Sequence, residues 1–119
     1  MKTITTLEEY DSITRSTPHS IIIFSSVKTC HPCRLLKKWI EEKHAGVEHI
    51  YEIDVMLPEF ESIANDIDCL PTITYYQLEE EQKKHRLEGF NQHDVETLLL
   101  LVQQNKVKPS SKKSSVTLL

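Results

Sequence analysis

Cys30 and Cys33 are the residues whose types and spacing point most directly to chemistry in this 119-residue chain. His31 and Pro32 lie between them. An apolar run, Ile21 to Phe24, comes just before the pair, and a helical pattern, Arg34 to His44, follows it. A Cys-x-x-Cys at such a strand-to-helix junction reads as a dithiol/disulfide redox site. The first turn of a helix has unpaired N–H groups and the positive end of the helix dipole. A thiolate placed there is stabilised and becomes a usable nucleophile at neutral pH. A second sulfur three residues on is within reach to resolve a mixed disulfide.

The elements that must position the pair are legible from periodicity. Residues 4–16 read as a helix, with Leu7, Tyr10, Ile13 and Thr14 near one face, Thr5 or Thr6 as cap, and Pro18 as terminator. The β-branched run at Ile21 suits a strand buried on both faces. In the helix after the cysteines, Leu35, Leu36, Trp39 and Ile40 share a face, Pro32 fits the first turn, and Gly46 is the expected stop. Tyr51, Ile53 and Val55 alternate with acids in a second strand, Ile50 to Val55. Helical spacing resumes from Pro58 through Phe60, Ile63, Ala64 and Ile67. Thr72 to Gln77 reads as a strand, Glu79 to Gln82 as an acidic turn, and Lys84 to Leu87 as an antiparallel edge strand ending near Gly89. A last helix runs from about Gln92 to Gln104, with Asn91 as N-cap and Leu98, Leu99 and Val102 inward. The order α-β-α-β-α-β-β-α implies an α/β fold: a central mixed sheet with helices on both faces.

Composition narrows the classes. The length suits one domain, expected over residues 1–105, followed by a flexible Lys/Ser-rich tail, 106–119. Setting aside the four tail lysines (106, 108, 112 and 113) leaves ten basic residues against 18 acids, so no nucleic-acid partner is expected. No apolar run approaches membrane-spanning length, and Met1-Lys2-Thr3-Ile4 leads into polar residues rather than a signal sequence. Three cysteines do not make a disulfide scaffold. The expected setting is the reducing cytoplasm, away from membranes.

From about residue 2 to residue 105 the chain resembles the thioredoxin family. The resemblance rests on an apolar strand leading to Cys30-His31-Pro32-Cys33, then Leu70-Pro71-Thr72 entering a strand, a hairpin, and Gly89 before the last helix. It implies the thioredoxin fold, with Cys30 as attacking thiol and Cys33 as resolving thiol. It also implies a cis peptide bond before Pro71 and a substrate-binding strand at Leu70, Pro71 and Thr72, where the backbone of Leu70 pairs with the incoming peptide. The implied partners are protein disulfides as substrates and a thioredoxin reductase or a small thiol as reductant, with no organic cofactor. The Cys-Pro-x-Cys order and the Gly-Gly of the glutaredoxin branch are missing.

The departures from the family pattern carry expectations of their own. Thr29 precedes the first cysteine, where the family usually has tryptophan. A buried aspartate that assists the resolving cysteine commonly lies six residues before the first, the position of Phe24; its lysine partner aligns with Ile50. Two apolar residues are thus expected in place of an ionic pair, with resolution by Cys33 either slower or reliant on water or His31. His31 replaces glycine; as a cation beside the thiolate it would favour the reduced form and make the pair a stronger oxidant, the alternative being a solvent-exposed residue on the rim with no catalytic duty.

Other candidates have plainer readings. A closed zinc site would need Cys69 and a histidine in addition to Cys30 and Cys33; the placement of the pair beside Pro71 fits redox better, and no metal is expected. Cys69 is expected near the active-site surface as an inert thiol in a monomer, its alternative being a Cys69-linked dimer under oxidation. His19, His44, His49, His85 and His93 read as surface residues, Trp39 as core, and one of Tyr75 and Tyr76 as inward. The last four residues, Val116 to Leu119, could serve as a motif captured by a partner. The function expected is protein thiol–disulfide oxidoreduction; the alternative is a thioredoxin-fold binding module that has lost turnover.

Overall fold

A computed structural model describes residues 1–26, 28–77 and 84–107, without the side chains of 84, 85 and 104–107. The expected acidic turn and most of the expected tail lie outside the described residues. Ten elements follow one another: β1 (Lys2–Thr3), α1 (Leu7–Ser16), β2 (His19–Ser25), α2 (His31–Lys43), β3 (Ile50–Asp54), a 3₁₀ turn (Pro58–Phe60), α3 (Glu61–Ala64), β4 (Thr72–Gln77), β5 (Lys84–Glu88) and α4 (Gln92–Val107). The sheet order is β1-β3-β2-β4-β5. β1 and β2 both run parallel to β3, whereas β4 is antiparallel to β2 and to β5. The expected mixed sheet is therefore present.

The start of the chain differs from the sequence reading. The helix begins at Leu7, with the Thr6 side chain accepting from Glu9 N–H, and residues 2–3 form an edge strand instead. Ile4 continues that extended path: its N–H donates to the Glu52 carbonyl at 2.9 Å, and its side chain is buried. Helix α2 ends at Lys43 with His44 as its cap, before Gly46. The helical spacing after Pro58 breaks into the 3₁₀ turn and the single turn of α3. Helix α4 continues to Val107, two residues into the expected tail.

Each face of the sheet carries its own core. On one, Leu36 and Ile40 of α2 and Val95, Leu98, Leu99 and Val102 of α4 cover Ile21, Ile23, Ile50, Ile73 and Tyr75. On the other, Leu7, Tyr10 and Ile13 of α1, with Phe60, Ile63 and Ala64, cover Ile22, Phe24 and Ile53. β2 is apolar on both faces because it is the central strand, buried above and below. Leu35 was expected on the inner face of α2 but is 46% exposed. Trp39 is half-buried against the α2–α4 core, where its ring meets Phe90 and His44.

Asn91 caps α4 as expected: Asp94 N–H donates to its Oδ1 at 3.1 Å. Asn91→Ala should cost about 1 kcal/mol. The check is a lower urea midpoint with an unchanged slope.

Candidate active site

Cys30 is the N-cap of α2, and Cys33 lies in its first turn. The two are joined as a disulfide, with Cα atoms 5.2 Å apart. Cys33 N–H points at the Cys30 sulfur, N to Sγ 3.1 Å. Ser, Thr, Asp or Asn normally fills this position, so here a sulfur takes the place of a capping oxygen. When the bond is reduced, the same N–H and the helix dipole favour a negative charge on that sulfur. Accessibility separates the two cysteines: Cys33 is 1% exposed, whereas Cys30 is only half-buried. His31 and Pro32 are exposed on the rim.

The loop before the pair is tied down by short-range bonds. Cys30 N–H donates to the Ser26 carbonyl at 2.9 Å, and the Ser26 and Thr29 hydroxyls lie 2.8 Å apart. Ser26 is fully buried, so pairing its hydroxyl satisfies a polar group away from water.

Strand register brings the second sequence motif to the same end of the sheet. β2 ends at Ser25, and Phe24 pairs with Thr72, the first residue of β4. Pro71 therefore lies level with the start of the loop that carries Cys30. The Leu70–Pro71 peptide bond is cis. Pro71 is buried and its carbonyl accepts from Gly89 N–H at 2.7 Å; Gly89 has φ 82, a left-handed conformation that glycine adopts at little cost. Thr72 donates its hydroxyl to the Cys69 carbonyl at 2.7 Å. Leu70 is half-buried and Cys69 is exposed with a free thiol. Beside them lies a shallow cavity of about 280 Å³, lined in part by Val55, Met56, Ile67, Cys69 and Leu70. Met56 and Leu57 are exposed, at 63% and 41%.

One expectation is corrected by the faces of the sheet. Ile23 and Glu52 are register partners, as are Phe24 and Ile53. Side chains alternate along a strand. Phe24 therefore points to the α1–α3 face, where its ring meets Tyr10, centroids 6.5 Å apart. Ile50 points to the opposite face, under α2 and α4. The two cannot replace an ionic pair. Cys33 belongs to α2, so the β2 residue beneath that helix is Ile23, not Phe24.

Two side-chain pairs escaped the sequence reading. His19 Nδ1 lies 3.1 Å from the hydroxyl of buried Tyr75, so His19 is not simply a surface residue. The hydroxyls of Tyr10 and Tyr76 lie 2.9 Å apart, and burial, with that hydrogen bond, pushes the Tyr10 phenol well above its usual range. Both pairs join residues more than fifty positions apart, and no local pattern announces them. Among the described residues, no group of three or more His, Cys, Asp or Glu side chains is arranged to hold a metal ion.

No protein-family model matches the chain, and no curated protein sequence matches it either. Solved structures do. Plasmodium falciparum thioredoxin superimposes with a TM-score of 0.70 at 23% identity, over 85% of this chain and 98% of that one. Malassezia sympodialis thioredoxin gives 0.69 at 20% identity, over 85% and 89%. The oxidised form of mitochondrial thioredoxin 3 from Saccharomyces cerevisiae gives 0.68 at 18%, over 84% and 93%. The chain has the thioredoxin fold, with a Cys-x-x-Cys disulfide at the strand-to-helix turn leading into α2.

Proposed function

We propose that this protein is a thiol–disulfide oxidoreductase that exchanges disulfides of protein substrates through Cys30 and Cys33. The observation that carries the reading is the disulfide at the N-terminus of α2, with one sulfur accessible and the other buried. That asymmetry divides the labour. Substrate lies along Leu70-Pro71-Thr72, whose backbone is level with the cysteine loop. The Cys30 thiolate attacks a substrate sulfur, forming a mixed disulfide and expelling the other substrate sulfur as a thiolate. Cys33 then loses its proton to solvent and attacks Cys30 Sγ. The internal disulfide forms, and the substrate leaves with both of its sulfurs reduced. A reductase or a small thiol returns two electrons to the pair. No metal or organic cofactor enters this scheme. The proposed setting is the cytoplasm, where reductant is available; one structurally similar thioredoxin is mitochondrial.

Insulin reduction with dithiothreitol as electron source tests this reading. The expected outcome is turnover well above that of dithiothreitol alone. A rate equal to the reagent's would favour the second reading, a binding module. That reading draws on the apolar character of Ile23 beneath α2 and on the exposed apolar side chains of Leu35, Met56 and Leu57.

Cys69 adds a separate expectation. Its thiol is exposed and free, which favours the dimer alternative over the inert reading: mild oxidant should convert the protein, a monomer under reducing conditions, into a disulfide-linked dimer. Non-reducing electrophoresis should show that dimer in wild type and not in Cys69→Ser. A dimer persisting in the variant would assign the link to Cys30 instead.

A further inference from the structure

We propose that Val116-Thr117-Leu118-Leu119 folds back into a groove between the end of α2 and the outer side of α4. Helix α4 is apolar on more than its inner side. Val95, Leu98, Leu99 and Val102 cover the sheet, yet Leu100 and Leu101 are 56% and 36% exposed. A helix that is apolar all round is ordinarily covered all round. Leu100 stands in the wall of a cavity of about 300 Å³, together with His93, Glu96, Thr97 and Gln103 of α4 and His44, the cap of α2. Positions 93, 96, 97, 100 and 103 trace one stripe along the helix. At 1.5 Å per residue the stripe is about 15 Å long. That is room for about four extended residues.

His44 supplies an independent sign that the groove takes an occupant. Its Nε2 is buried and has no hydrogen-bond partner among the described residues. Buried polar atoms are ordinarily paired. A peptide lying in the groove brings backbone N–H and C=O groups with it, and one of these completes the bond.

Reach and charge name the occupant. Helix α4 runs to Val107, seven residues past Leu100 and about 10 Å further along its axis. Leu118 comes eleven residues after Val107. A chain of that length spans roughly 17–20 Å on average, so Leu118 returns to Leu100 without being stretched. So short a tether holds the segment at a local concentration in about the millimolar range. Residues 108–119 carry Lys108, Lys112 and Lys113 and no acid, whereas the 11 basic residues before them are outnumbered by 18 acids. Acids also surround the groove: Glu96 in its wall, Asp94 on the same helix, and Glu41 and Glu42 in the last turn of α2 beside Lys43. The lysines therefore meet an acidic surround while Leu118 and Leu119 cover Leu100.

A nitroxide on the thiol of Ser115→Cys reports where the segment lies, in 119-residue Cys69→Ser protein with the Cys30–Cys33 disulfide intact. We expect it to broaden the amide signals of His44, His93, Thr97 and Leu100. Those of α1, across the sheet, should keep their intensity. Adding Leu118→Ser and Leu119→Ser should lower the ratio of docked to free segment about tenfold or more, and the signals should recover. Leu100→Ser, at an exposed position, should act in the same way from the groove side. Broadening that the leucine substitutions leave unchanged overturns the proposal. So does its absence from the start, which would leave the groove to a separate partner. Broadening passed to an isotope-labelled, nitroxide-free chain mixed with the spin-labelled one would assign the groove to a second copy, and also overturns it.

Discussion

Cys30→Ser is expected to abolish disulfide reduction, with a loss on the order of 10³-fold or more in insulin turnover, as when other enzymes lose their nucleophile. A serine hydroxyl is a far weaker nucleophile than a thiolate at neutral pH, because it stays protonated, and the helix N-terminus stabilises only a charge that is already present. Cys33→Ser should fail differently. Its Cys30 still attacks, but nothing resolves the product, and the protein accumulates as a mixed disulfide with its substrate. Mass spectrometry of the two variants, each made in a Cys69→Ser background so that the exposed third thiol cannot react, after exposure to an oxidised protein distinguishes them: adduct in Cys33→Ser, none in Cys30→Ser. The reverse pattern would exchange the roles of the two sulfurs. That outcome would conflict with the burial of Cys33 at 1% exposure.

Phe24→Asp is the second large effect. Phe24 is among the largest fully buried side chains and packs with Ile22, Ile53 and Phe60, and against the ring of Tyr10. Truncating a buried phenylalanine costs about 3–5 kcal/mol. An unpaired carboxylate in the same place adds to that. The sum approaches the whole stability of a small domain, about 5–15 kcal/mol. We therefore expect a fall of at least about 4 kcal/mol by urea denaturation, and no faster turnover in the folded fraction. The aspartate would face α1 and α3, across the sheet from Cys33. A rise in insulin reduction by Phe24→Asp would contradict this placement.

Phe24 also shows where the sequence stops being legible. Ile21-Ile22-Ile23-Phe24 announces a buried strand, but an unbroken apolar run has no alternation from which to assign faces. Only pairing with β3 and β4 shows that Ile21 and Ile23 lie under α2 while Ile22 and Phe24 lie under α1. Counting six residues back from Cys30 finds a position along the chain, not a direction in space. β1 was missed for a related reason. Two residues cannot display a period, and Lys2–Thr3 becomes a strand only because β3 offers it an edge.

Local chemistry was more readable. Cys30 and Cys33 at the mouth of α2, Pro32 in its first turn, Asn91 capping α4 and the Leu70-Pro71-Thr72 entry into β4 all fall where short-range rules put them. Leu35 did not. Helical spacing groups it with Leu36, but it sits at the edge of the apolar stripe and turns outward. The Lys37–Glu52 and His19–Tyr75 contacts depend on which strands become neighbours, and the spacing along the chain does not record that.

The central claim is that Cys30 and Cys33 form a reversible internal couple. Equilibrating the Cys69→Ser protein against glutathione mixtures, then trapping and counting free thiols, tests it most directly. The expected result is one transition between dithiol and internal disulfide, following the ratio of squared reduced to oxidised glutathione as a two-electron exchange requires. A midpoint above about −270 mV would add a role for His31 in favouring the reduced form. If Cys30 and Cys33 remain thiols, or carry only glutathione, across every mixture, the pair is not a redox couple and the oxidoreductase account is contradicted.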